Sequence, residues 1–178
     1  MAELRFLIED KKVVYNGLFR IDELYGIIKK NLMNKGYFIV EKVSQEDVLE
    51  NGKQVVIKLE PFKKLSDYAK AKMRITVFLR GVKDKTITVD GHKQKYQQGE
   101  VQITFFAIHE TDYRNKWENS GLQFLFRTLM DKFIRHSQTH HSEEEIKREC
   151  NALADEIKSY LNMTRFKISH DMHPRKEE

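Results

Sequence analysis

The sequence is poor in the residues that punctuate or staple a chain: its 178 residues include one cysteine, two prolines and eight glycines. A lone Cys150 leaves no partner for an internal disulfide. No stretch approaches the roughly 18 consecutive apolar residues of a membrane-spanning helix. The opening Met1-Ala2-Glu3-Leu4-Arg5 lacks the basic, apolar and small-residue regions of a secretory signal. These absences favour a reducing, cytoplasmic setting. Phosphate-binding loops are missing as well: the glycines are isolated, and Gly81 is not followed by Gly-Lys-Ser/Thr. No G-x-S-x-G nucleophile elbow occurs. The common nucleotide-dependent enzymes and hydrolases are disfavoured, and no cofactor is expected.

What is present is a globular composition, 40% hydrophobic and 11% aromatic, in a chain long enough to enclose a core without staples. No linker or repeat divides it, so one α+β domain is expected over residues 1–163, with a flexible polar tail over 164–178. Leu4, Phe6 and Ile8 alternate with polar neighbours and suggest a short strand. Glu9 to Lys12 would turn it into a second at Val13 to Tyr15, and Asn16-Gly17 would close this opening hairpin. From Ile21 the period changes. Ile21, Leu24, Tyr25, Ile28 and Leu32 lie on one helical face, Asp22 and Glu23 suit its positive end, and Gly36 stops it.

The centre reads as antiparallel β. Asn51-Gly52 marks a hairpin, and Val55, Ile57 and Leu59 alternate up to Pro61, which cannot donate to a ladder. From Ala69 to Arg80 the odd positions are apolar and the even ones mostly basic. Gly81 should break that strand. A shorter one with Ile87 and Val89 should run into a turn at Asp90-Gly91, and Gly99 should precede another carrying Val101, Ile103, Phe105 and Ala107. About six strands result. Two helices follow: one with Leu122, Leu125, Phe126, Leu129 and Phe133 on its apolar stripe, then a polar break at His136 to His141. Ser142 and Glu145 have the spacing of a capping box for the second, whose stripe is Ile146, Cys150, Leu153, Ile157 and Leu161.

A strand, a helix, an uninterrupted antiparallel run and a long amphipathic helix together make an element order that resembles the START-like, or helix-grip, superfamily. The resemblance spans residues 3–136 and rests on that order. One N-terminal helix stands where the family has two, and a further helix follows the one in the grip position. The resemblance implies a curved sheet wrapped on a helix with a cavity between them that takes an apolar small molecule or a partner's apolar segment. Its walls would be Met73, Ile75, Val77, Leu79, Val101, Ile103 and Phe105 of the sheet and Leu122, Leu125, Phe126 and Leu129 of the helix. A non-enzymatic binding module is the leading expectation.

Charge suggests an alternative. Residues 61–96 hold ten basic residues against three acidic ones, a net of +7, between flanks that are neutral or slightly acidic. Lys70, Lys72, Arg74 and Arg80 share strand parity with Tyr68 and Phe78. A strand face with cations for phosphates and rings for bases suits single-stranded RNA, so an RNA- or ribosome-associated role is the alternative. A third reading is an enzyme centred on His109, with Glu110 and Asp112 beside it where the last strand ends. His136, His140 and His141, and His170 and His173, lack the ligand number and spacing of a structural metal site.

Overall fold

A computed structural model describes residues 3–89, 92–111 and 135–172, and side chains in the last helix over 141–165. The protein is an α+β fold: β1 (Glu3–Phe19), α1 (Ile21–Asn34), β2 (Glu41–Leu49), β3 (Gly52–Leu59), β4 (Phe62–Lys64), β5 (Ala69–Val89), β6 (His92–Thr111) and α2 (Arg135–Met172). The strands form one antiparallel sheet in the order β1-β6-β5-β3-β2. β3 and β4 lie end to end along one edge of β5, separated by Glu60 and Pro61. Pro61 contributes only its carbonyl, which accepts the Met73 N–H at 2.9 Å.

The expected opening hairpin is absent. β1 is one strand along β6, from Glu3 opposite Thr111 to Phe19 opposite Gln97. The polar Glu9-Asp10 pair is absorbed by register shifts between Phe6 and Lys11, with Asp10 at φ 54°, so the chain bulges rather than reverses. One result is that Leu4 and Phe6 are exposed, while Leu7 and Ile8 pack against the core.

Helix α1 lies where periodicity placed it, and it ends on a Schellman motif. With Gly36 at φ 79°, its N–H reaches the Met33 carbonyl and the Tyr37 N–H reaches that of Leu32, both at 3.0 Å. Leu24, Ile28 and Leu32 form its buried face.

Gly81 does not end a strand, and Gly99 does not precede one. β5 runs through Gly81 at φ 61° with a register shift between Arg80 and Lys83, and Gly99 lies within β6. A Cβ on Gly99 would come within 2.8 Å of the Arg80 carbonyl oxygen, and one on Gly52 within 2.8 Å of the Gly81 carbonyl carbon. The three glycines thus let β3, β5 and β6 approach closely around the bulge.

At the C-terminal end, α2 continues through His136 to His141, where a break was expected, so Ser142 and Glu145 are interior positions and not a capping box. Residues 135–172 contain neither glycine nor proline, and polar side chains alone do not stop a helix. α2 also continues past Met163 to Met172. The helix expected around Leu122 to Phe133 lies outside the described residues.

One apolar core joins the inner sheet face to both helices: Met73, Ile75, Val77, Leu79, Val101, Ile103 and Phe105 meet Leu24, Ile28 and Leu32 of α1 and Ile146, Cys150, Leu153 and Ile157 of α2. Polar contacts hold α2 in place along its length. Arg5 Nη1 donates to Glu143 at 2.7 Å, Lys11 Nζ to Asn151 at 2.6 Å, and the Arg20 N–H to the Tyr160 hydroxyl at 3.1 Å. Asn31 bonds Glu156.

Candidate nucleic-acid interface

Alternation over Ala69 to Arg80 sorts β5 as its sequence predicts. Ala71, Met73, Ile75, Val77 and Leu79 are buried, while Lys70, Lys72, Arg74, Phe78 and Arg80 are on the other, outer face. The seven predicted sheet walls of the cavity are all in the core described above, at most 3% exposed. Their proposed helical counterparts Leu122, Leu125, Phe126 and Leu129 lie outside the described residues. Among the described residues, open clefts of about 600 and 550 Å³ lie elsewhere, and Arg20, where β1 passes into α1, lines both of these.

Simple alternation past Arg80 would put Val82, Asp84 and Thr86 outward. The Gly81 bulge reverses this. Arg80 is opposite Glu100, but after one extra residue Lys83 is opposite Gln98 and Lys85 opposite Tyr96. β6 keeps its own parity through this stretch. Val82 is therefore turned into the core, 2% exposed, and the register gives Lys83 and Lys85 the strand parity of Lys70, Lys72, Arg74 and Arg80. Along β5 the stripe from Lys70 to Lys85 spans on the order of 50 Å at about 3.3 Å per residue. Lys93 and Lys95, opposite Thr88 and Thr86, have the other parity.

Acidic neighbours engage part of the stripe. Glu110, directly opposite Lys70, lies 3.9 Å from the Lys70 ammonium and 3.2 Å from that of Lys72. Arg74 is 3.7 Å from Glu60 and Arg80 is 3.5 Å from Glu100, with both arginine side chains more than half exposed. Pairs of this kind are worth about 0–1 kcal/mol and exchange readily for another anion. Lys83 and Lys85 are exposed with no ion-pair partner among the described residues.

The predicted rings behave differently. Phe78 is half-buried, with the Arg80 guanidinium 5.1 Å above its ring. Tyr68 is half-buried in the bend before β5, where the Ser66 hydroxyl oxygen accepts its backbone N–H at 3.2 Å. Sequence reasoning passed over Phe38 and Phe62. These lie outside the alternating segment, and a backbone bridge joins them. Only pairing between distant segments brings them to the stripe, where Phe62 is opposite Lys72 and Phe38 is bridged to Phe62.

His109, Glu110 and Asp112 do not converge as an acid/base group. Alternation turns His109 inward and Glu110 outward, and Asp112 lies outside the described residues. The inward partner of His109 is Glu143 of α2, whose carboxylate is 3.9 Å from Nδ1, too far for a hydrogen bond. His109 is 2% exposed. Burial lowers its pKa below 6.5, the Glu143 carboxylate acts against that, and Arg5 adds to it. Burial likewise pushes the Cys150 thiol up to about 11, removing the thiolate that a nucleophile needs.

Comparison with family models, curated proteins and solved structures finds no match for this chain. The fold and surface therefore define its class: an α+β domain with an open antiparallel sheet, helices on one face and a basic strand on the other. Among the described residues, no helix is long and apolar enough to cross a membrane.

Proposed function

We propose that the protein is a non-enzymatic module that binds RNA along the outer face of β5, chiefly through phosphates. The reading rests on one observation: the Gly81 bulge gives Lys83 and Lys85 the strand parity of the four cations before it, so six positive side chains of one strand share a register. Phosphate contacts of this kind release counterions and carry little base information, so the binding is sequence-tolerant and strongly salt-dependent. The alternative of an apolar ligand on the inner sheet face has less to support it, because side chains of α1 and α2 pack on that face.

The test is fluorescence anisotropy with labelled oligouridine. Binding should weaken with salt at a slope near −0.7 per phosphate contacted. Lys83→Glu with Lys85→Glu should lower affinity about tenfold or more and reduce the magnitude of the salt slope by roughly 1.4. Lys29→Glu with Lys30→Glu, two exposed positions on α1, is the matched control and should change it much less. Equal losses in the two double variants would replace the stripe with a nonspecific charge effect.

A further inference from the structure

We infer that Phe38 and Phe62 form a base-stacking subsite at one end of the basic stripe, which gives the protein a preference for unpaired over paired nucleic acid. The inference rests on the RNA reading above and adds to it a ligand chemistry, the π-face of an unstacked base. Three features of the structure lead to it.

The first is exposure that the backbone enforces. Gly36 ends α1, and Tyr37 turns inward, its hydroxyl donating to Glu149 at 2.7 Å. Alternation then sends Phe38 outward, 66% exposed. A lone exposed apolar residue is unremarkable. The backbone that carries this ring, however, is fixed by a two-way bridge: the Phe38 N–H donates to the Phe62 carbonyl at 2.8 Å and the Phe62 N–H to the Phe38 carbonyl at 2.9 Å. A ring on a fixed backbone has only its side-chain torsions to order when a base settles on it.

The second is ring geometry. The centroids of Phe38 and Phe62 are 5.3 Å apart with the planes at 53°, so the rings support each other at an angle and neither lies flat over the other. Phe38 is left with open surface for a planar partner.

The third is charge complementarity. The Lys70 ammonium lies 5.4 Å from the centre of the Phe62 ring, Lys72 is opposite Phe62 in the ladder, and Lys64 is opposite Lys70. A nucleotide needs a cation for its phosphate within one residue's reach of the ring that takes its base, and this is the arrangement of single-strand binding surfaces. An apolar protein segment would gain nothing from three lysines around its seat. A duplex keeps its bases stacked inside and offers Phe38 nothing to stack on.

The experiment compares Phe38 variants against single-stranded oligouridine and a blunt-ended RNA duplex by anisotropy. Phe38→Ala should weaken single-strand binding about five- to a hundredfold, the range for loss of one stacking ring. Duplex affinity and the salt slope should be unchanged, because no charge is removed. Phe38→Tyr should restore binding, and Phe38→Leu, which keeps apolar bulk without a π-face, should not. Single-strand affinity unchanged in Phe38→Ala, with binding still lost in the Lys83/Lys85 double variant, would overturn the stacking subsite and leave the stripe standing. Wild-type behaviour from Phe38→Leu would also overturn it, because apolar bulk without a π-face would then suffice for the contact. No binding of wild type to either RNA removes both readings. Binding confined to phosphatidylserine vesicles would assign the face to a membrane surface instead.

Discussion

His109 is a buried residue whose protonation bears on the stability of this fold. Its imidazole is held neutral mainly by burial, so the folded state binds its proton more weakly than the unfolded chain does. Once the pH falls below about 6.5 the unfolded chain takes up that proton first, and stability declines until the folded-state value is passed. His109→Gln should flatten this acidic limb, leaving the Arg5 and Glu143 charges as they are; thermal melts across the acidic range measure it. A limb unchanged in the variant would assign the loss to other groups. His109 was legible as inward-facing from the parity of Val101 to Ala107. Its partner Glu143 was not, because nothing in the local sequence of either residue signals a contact between positions so far apart.

Among the elements, α2 depends on a polar cluster that periodicity does not reveal. Lys63 on β4 donates to Glu149 at 2.8 Å and to Glu145 at 3.1 Å, while Tyr37 occupies the other oxygen of Glu149. Burial disfavours the Lys63 charge, but the two carboxylates outweigh it and raise its pKa. Glu149→Ala would leave the buried Tyr37 hydroxyl without its acceptor and remove one of the two ion-pair partners of Lys63. It should cost about 2–3 kcal/mol, read as a lower urea midpoint at unchanged m. Glu145 is more exposed, and Glu145→Ala should cost less than about 1 kcal/mol. The apolar stripe from Ile146 to Leu161 told where α2 packs. That α2 begins before Ser142 depended on helix propagation through polar residues, which a search for amphipathic periodicity cannot see. β5 is the converse case: its alternation was plain up to Arg80 and then misleading, because one glycine at positive φ changes the parity of everything after it.

For the molecule as a whole, the central question is how uniformly the core closes. Cys150 sits at its centre with a thiol pushed up to about 11 by burial. In native buffer it should resist alkylation and react fully once urea unfolds the chain. The labelling rate across sub-denaturing urea then reports opening of the core. Rapid native labelling would mean that α2 detaches locally from the sheet.

The class of fold, helix α1, the inner face of β5 and the excess of charge in residues 61–96 followed from the sequence alone, since each depends on residues a few positions apart and the period they impose. The single long β1, the reversal of parity at Gly81, the bridge between Phe38 and Phe62 and the approach of Glu143 to His109 were decided by tertiary structure. Each requires two distant segments to meet, and which segments meet is set by the pairing of whole strands and the burial they share.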